Sequence, residues 1–297
     1  METLESLRSR ISTTEQLQSL VRSMKSLSAA SINQYERAVT ALEDYGLSIE
    51  SGLQAVLMNR ISVSWPSTVH STTTGVIVVG SDRGLCGRFN ALVTERAHLE
   101  LEELRAKDSA IRLIAIGARA QARLEAMGHR VERTFRLPGS ARNMSVATES
   151  ILIALDGWRQ ELGIEHVLLI SNRREEQSRA IPTVKALLPI DTLWLAALAQ
   201  QRWPTRGLPI FAVSPNELFA WLIRQHLFIF LFETVAESLA AEHAARLSAM
   251  QTAEQKIKEH LEDAYACFRR ERQNAITVEL MDLVTGFEAL KGAGTAD

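Results

Sequence analysis

Disulfides are the first thing this 297-residue chain does without: its two cysteines, Cys86 and Cys267, are too few for a disulfide framework and lack metal-ligand spacing. A reducing compartment is expected. An excess of one charge is missing too, since 33 basic and 35 acidic residues leave a formal charge of −2. General nucleic-acid binding runs on many phosphate contacts from Lys and Arg, so that class is set aside. Nor is there a long hydrophobic run: "LFIFLF" at Leu227 to Phe232 is only six residues. A bilayer span needs roughly 20 apolar residues, so no segment is expected to cross a membrane, which leaves attachment to a membrane complex open. The opening METLESLRSR carries charges every few residues and no apolar core, unlike a signal or transit peptide.

Proline is absent from both ends. All seven prolines lie between Pro66 and Pro215, residues 1 to 65 contain only Gly46 and Gly52, and the stretch from Asn216 to Leu290 contains only Gly286. Each end can therefore be one long helix. In the N-terminal segment Leu4, Leu7, Ile11, Val21, Ile32, Tyr35, Val39, Leu42, Ile49, Leu53 and Val56 fall on one a/d-type stripe. Gln18 and Lys25 interrupt it, and Leu17, Leu20, Met24 and Leu27 are expected to carry a neighbouring stripe through the gap as a stagger. The C-terminal segment opens on "SPNELF", where Ser214 or Asn216 can cap the first turn and Glu217 suits the positive helix end. Its apolar residues, from Leu218 to Phe268, then recur at helical spacing. Such helices would be roughly 80 to 110 Å long, too long for one compact globule. Pairing them as an antiparallel coiled coil covers both stripes, each buried leucine contributing about 1.5–3 kcal/mol.

The middle differs. "GVIVVG" (75–80), "IRLIAIG" (111–117) and "HVLLIS" (166–171) are short apolar runs separated by helix-like stretches such as "ALVTERAHLELEELRAK". That alternation predicts βα units around a mostly parallel sheet. The expected fold class is α/β: a long antiparallel coiled coil of N- and C-terminal helices (1–60 and 214–297) with an inserted Rossmann-like parallel-sheet domain (61–213).

Chemistry is sparse. The loop "VVGSDRGLCGRFN" (78–90) has the look of a phosphate cradle, but it lacks G-x-G-x-x-G because Asp82 stands two before Gly84, and no Lys-Ser or Lys-Thr follows the glycines as a P-loop requires. Asp82 would repel phosphate, or it could pair with Arg83 to fix the turn. Cys86 between Arg83 and Arg88 could have a depressed pKa, yet no histidine or acid partner is identifiable beside it. The seven histidines are scattered and form no H-E-x-x-H zinc motif. No cofactor and no metal site is expected.

The residues "ESLAAEHAARLSAM" (237–250), "RQNAITVELMDLVTGFEAL" (272–290), "SDRGLCG" (81–87), "LRSRI" (7–11), "SNR" after the third strand and "LLP" at Leu187 to Pro189 resemble the gamma subunits of F-type ATP synthases along the whole chain. The resemblance implies a non-catalytic rotor shaft. Its paired terminal helices would enter a head of alternating alpha and beta subunits. Its α/β domain would form a foot, with the epsilon subunit, on the membrane c-ring at the cytoplasmic face of a bacterial inner membrane. By position, Arg272 and Gln273 match the pair that engages the catch loops of beta and alpha, with Thr277 in the same block. Met24 and Lys25 match the position near the beta lever, Arg8 and Arg10 basic residues low on the N-terminal helix, and Cys86 the foot loop facing beta. An apolar face of Leu280, Leu283, Val284, Phe287 and Leu290 is then a bearing in the head, where the residues alone suggest continued helix packing. The chain departs from the family at Ser31, Asn33 and Gln34, where basic residues are usual, at Arg88, usually glycine, and at Glu271, usually small; a divergent, proton- or sodium-translocating branch would fit. The competing expectations are a stand-alone nucleotide-binding enzyme with coiled-coil arms and a homodimeric coiled-coil scaffold.

Overall fold

The computed structural model describes residues 3–58, 73–175, 180–203, 207 and 209–293. Helix α1 (Leu4–Met58) and helix α6 (Pro215–Ala293) are single helices of 55 and 79 residues, as the proline distribution requires. Thr3 caps α1, its Oγ1 accepting from the Ser6 N–H at 3.2 Å. At the start of α6 Pro215 sits in the first turn, where its missing N–H costs nothing, and Ser214 supplies the first carbonyl, which accepts from the Leu218 N–H. The chain forms two compact units, Ser28–Ser248 and Met1–Leu27 with Ala249–Asp297.

The larger unit is built on a five-stranded sheet of order β3-β2-β1-β4-β5. Strands β1 (Thr73–Val79), β2 (Ala110–Ile116), β3 (Arg133–Phe135) and β4 (His166–Arg174) are parallel, while β5 (Ala180–Leu188) runs antiparallel to β4. The three apolar runs are β1, β2 and β4. The edge strands β3 and β5 escape a periodicity search for physical reasons. The first has only three residues, and the second is half-exposed along its middle and carries Pro182, which an edge tolerates.

Alternation on β1 divides the core. Val76 and Val78 face helices α2 (Phe89–Ala106) and α3 (Ala118–Ala126) through Val93, Ala97, Leu101 and Leu124. Ile77 and Val79 face a larger cluster formed with Leu152, Leu155 and Trp158 of α4 (Met144–Leu162), Tyr35, Leu53 and Val56 of α1, and Leu222, Phe232 and Leu239 of α6. Gly75 lets Trp158 lie on the strand, since a Cβ there would sit 2.6 Å from its ring. Helix α5 (Thr192–Gln200) is capped by Asp191, whose Oδ1 accepts from the Leu193 N–H. By length and composition α6 contains a stretch apolar enough to span a membrane, but half of it is buried, with Phe219, Leu222, Ile223, Leu227, Ile229 and Phe232 in this core.

The smaller unit pairs residues 3–27 of α1 antiparallel with α6 from Ala249 onward. Ile11 packs with Leu261 and Ala264, the Tyr265 hydroxyl donates to Glu15 Oε1 at 2.6 Å, and Lys25 meets Glu254. The stagger does not occur. Leu17, Leu20 and Leu27 are exposed, whereas Val21 and Ser28 are buried and Gln18 and Lys25 half-buried, so the original stripe continues. The stem of Lys25 tolerates the seam because its ammonium reaches Glu254 at the rim.

Candidate functional site

The loop between β1 and α2 lies where the strand order reverses, beside β4, the position at which open α/β sheets take ligands. Its local fold is a network of side chains bonding to backbone. Asn90 Oδ1 accepts from the Ser81 N–H at 3.0 Å, Asn90 Nδ2 donates to Ser81 Oγ at 2.7 Å, and Ser81 Oγ donates to the Arg83 carbonyl. Asp82 accepts from the Ala118 N–H through Oδ1 and from the Leu137 N–H through Oδ2, each at 2.9 Å. Its carboxylate thus holds the first turn of α3 and the segment after β3. An anion site at that helix start is already filled by the protein's own carboxylate, and Asp82 fixes the loop through these amides rather than by pairing with Arg83.

The glycines divide the work differently from a simple tight turn. Gly80 allows close packing, since a Cβ would sit 2.4 Å from that of Ala120, and the left-handed positions are Leu85 (φ 63°) and Gly87 (φ 57°), not Gly84. Leu85 is exposed despite that backbone. Arg88 ends the loop with φ −86°, which any residue adopts; its side chain is exposed and lies 3.7 Å from Glu95.

The crevice itself is plugged. Cys86 and Phe89 pack with Ala180 of β5 and Ala241 of α6, and Asn172 Nδ2 donates to the Phe89 carbonyl at 2.8 Å. Burial raises the Cys86 pKa, outweighing the Ser81 hydrogen bond, so the depressed value suggested by its flanking arginines is not found. From α6, Arg246 Nη2 donates to Glu242 Oε1 at 2.5 Å and to the Gly84 carbonyl at 3.2 Å, both side chains being 6% exposed. Burial pushes the Glu242 carboxyl up, with Arg246 partly offsetting it. His243 stacks on Tyr35 with ring centres 5.7 Å apart. Its pKa is lowered to about 4, first by burial and then by Arg246 and Arg83. The cleft between these residues and Leu137 to Gly139 holds about 190 Å³, below the roughly 300 Å³ at which small-molecule sites begin.

The other expected site residues lie on the smaller unit. Arg8, Arg10, Arg272, Gln273 and Thr277 are exposed, the Thr277 hydroxyl donating to the Gln273 carbonyl at 2.9 Å. Met24 is half-buried, and Lys25 donates to Glu254 Oε2 at 2.5 Å; that bond, with one from Arg22, lowers the Glu254 pKa. Val278, Leu280, Met281, Leu283 and Val284 are all exposed, against the expectation of continued packing. The reason is register: Glu254 faces residues 22 and 25 and Tyr265 faces residue 15, so α1 runs out where residues beyond about 275 would need it. The side chains of Phe287 and Leu290 lie outside the described residues. Sequence reasoning missed Asn90, Tyr35, Glu242, His243 and Arg246. An acid and a base four apart among the alanines of "AAEHAARLSAM" were the available signal. Nor are the histidines all scattered, since His98 and His129 meet.

Comparison with known proteins covers nearly the whole chain. The ATP synthase family model matches residues 3–290. The ATP synthase gamma chain of Geotalea daltonii is 29% identical over 294 residues, 98% of this chain and 100% of that one. The ATP synthase gamma chain of Geobacter metallireducens is 28% identical with the same coverage. Among solved structures, a chain of the Euglena gracilis mitochondrial ATP synthase (OSCP, F1 and c-ring, rotational state 3) has the same fold. It aligns with a TM-score of 0.66 at 15% identity, covering 99% of this chain and 96% of that one.

Proposed function

Because the chain belongs to the ATP synthase family, we propose that it is the gamma subunit, the central rotor that transmits torque between a membrane c-ring and a catalytic alpha/beta head. The observation that carries this is that kinship spans both terminal helices and the sheet domain, not the sheet alone. The subunit is non-catalytic, and the complex it serves is attached peripherally at the cytoplasmic face of a bacterial inner membrane. The plugged crevice supports this over a nucleotide-binding enzyme, because Asp82 and α6 occupy the place of a ligand.

The smaller unit supplies the head contacts. Arg272, Gln273 and Thr277 meet the catch loops, Arg8 and Arg10 lie low on α1, and the exposed Val278 to Val284 stretch forms the bearing. Nondirectional apolar contact resists rotation little. Leu17, Leu20 and Leu27 are exposed on the face of α1 that also carries the half-buried Met24, so most of the strip expected to pack inward is an outward surface beside Lys25. In the foot loop, Leu85 rather than the buried Cys86 thiol makes the contact with beta, while epsilon and the c-ring adjoin the sheet domain.

Co-expression with the alpha and beta subunits of the same genome tests the assignment. One copy of this chain per alpha/beta hexamer is expected, whereas recovery only as a homodimer would reject it. Equilibrium dialysis of the isolated chain with ATP and with NAD separates the enzyme alternative: no stoichiometric binding is expected, and binding abolished by changes around Gly84 would overturn the rotor-only assignment.

A further inference from the structure

Three side chains converge at the end of α3. His98 and Glu102 stand four residues apart on α2, and His129 follows α3. His98 Nδ1 and His129 Nε2 are 2.8 Å apart, and one carboxylate oxygen of Glu102 completes a set whose atoms all lie within 4.8 Å of one another. The position of His129 is set by backbone. Gly128 ends α3 at φ 84°, its N–H donates to the Glu125 carbonyl, and the His129 N–H donates to Leu124 at 3.0 Å. This is a Schellman closure. It leaves the imidazole 3% exposed against α2.

Arg105 shows what this site attracts. Its Nη1 donates to Glu102 Oε1 at 2.6 Å and its Nη2 reaches His129 Nδ1 at 3.2 Å. A guanidinium can only donate, so His129 Nδ1 accepts, and the ring proton sits on Nε2 and points at His98 Nδ1. One cation therefore already bridges the carboxylate and an imidazole. The Glu102 and Arg105 side chains are each 50% exposed, and ion pairs so exposed are readily broken.

We propose that His98, Glu102 and His129 form a binding site for a divalent transition-metal ion of the zinc class, in which the ion displaces Arg105. Two imidazoles and a carboxylate match the ligand preference of such ions, with water in the fourth position. Two nitrogens on one tetrahedral ion at about 2.0 Å lie about 3.3 Å apart, so the rings need to separate by only a few tenths of an ångström. When Arg105 leaves, the His129 proton moves from Nε2 to Nδ1, which frees Nε2 for the ion, while His98 keeps its proton on Nε2 and binds through Nδ1.

The test is a titration of the full, untagged chain with Zn²⁺ against a chromophoric chelator, with Co²⁺ absorption as a second readout of coordination. One equivalent is expected. His98→Ala should weaken binding by about tenfold or more, the scale on which even outer-shell changes act at metal sites. Arg105→Ala should tighten it, because the competing cation is gone. His129→Gln should abolish the Co²⁺ spectrum, and since His129 is buried, the half-exposed His98 and exposed Arg105 keep the test decisive if that variant unfolds. Stoichiometric binding unaffected by His98→Ala, weaker binding on Arg105→Ala, or no binding at all would each overturn the site.

Discussion

The same two helices are built into two different kinds of structure. Between residues 28 and 248 they wall a core in which Leu53, Val56, Leu231 and Val235 are essentially inaccessible, and the Glu242–Arg246 pair is buried with them. In residues 3–27 and 249–293 they share one seam, around which Leu20, Leu27 and Leu283 stay more than half exposed and Lys25–Glu254 lies near the surface. Periodicity alone does not distinguish the regions. The difference is what lies opposite each stripe: a sheet with α4 in one case, a single helix or nothing in the other. A burial-rich region resists change, and a region with exposed apolar and charged faces tolerates it.

The largest effect should come from the buried pair. Arg246→Ala removes the partner of a carboxylate already short of solvent and the donor to the Gly84 carbonyl. Breaking a buried pair from one side costs about 3–5 kcal/mol, so the urea midpoint of the isolated chain should fall accordingly. Replacing both members, Glu242→Leu with Arg246→Met, should recover most of the loss, because apolar substitution of a whole buried pair is often neutral. A loss below about 1 kcal/mol for Arg246→Ala would erase the contrast between the regions.

A smaller effect is set by pH. The folded His243 pKa of about 4 lies below the ordinary 6.5, so the unfolded chain takes up a proton over that window and the folded chain does not. Stability from this residue is complete above about pH 6.5 and is lost as pH falls toward 4, by on the order of 2–3 kcal/mol. Glu242, whose carboxyl is raised, acts with the opposite sign, losing stability as pH rises through its own range. The measurement is therefore the difference between wild type and His243→Gln across pH 4 to 7. That difference should grow with pH, and a flat one would mean that the imidazole is hydrated in the folded protein.

Much of the architecture was legible because it rests on local rules. Absent prolines marked α1 and α6, and apolar runs marked β1, β2 and β4. Their neighbours were legible only in part. The straight seam through Gln18 and Lys25 was misread because a long polar side chain with an apolar stem registers as a break in a hydrophobic stripe. Asp82 stands out in the sequence as an acid in a glycine-rich loop, but its two amide partners lie 36 and 55 residues away. The same distance problem hid His98 and His129, which only the packing of α2 against the end of α3 brings together. Arg272, Gln273 and Thr277 were placed by resemblance alone, since three exposed polar residues on a helix have no local signature.

The smallest stability effect should accompany a clear functional one, in the region of exposed helices. Arg272 and Gln273 are solvent-facing on α6, so Arg272→Ala with Gln273→Ala should change the unfolding free energy by no more than about 0.5 kcal/mol. Alanine is also at least as good a helix former as either residue. If these side chains engage the head, ATP-driven ion pumping in membrane vesicles should fall further than the amount of assembled complex does. Equal pumping per assembled complex would remove both residues from the contact surface. The contrast with Arg246 would then have to rest on stability alone, because a rotor surface is defined by being dispensable to the fold and needed by the partner.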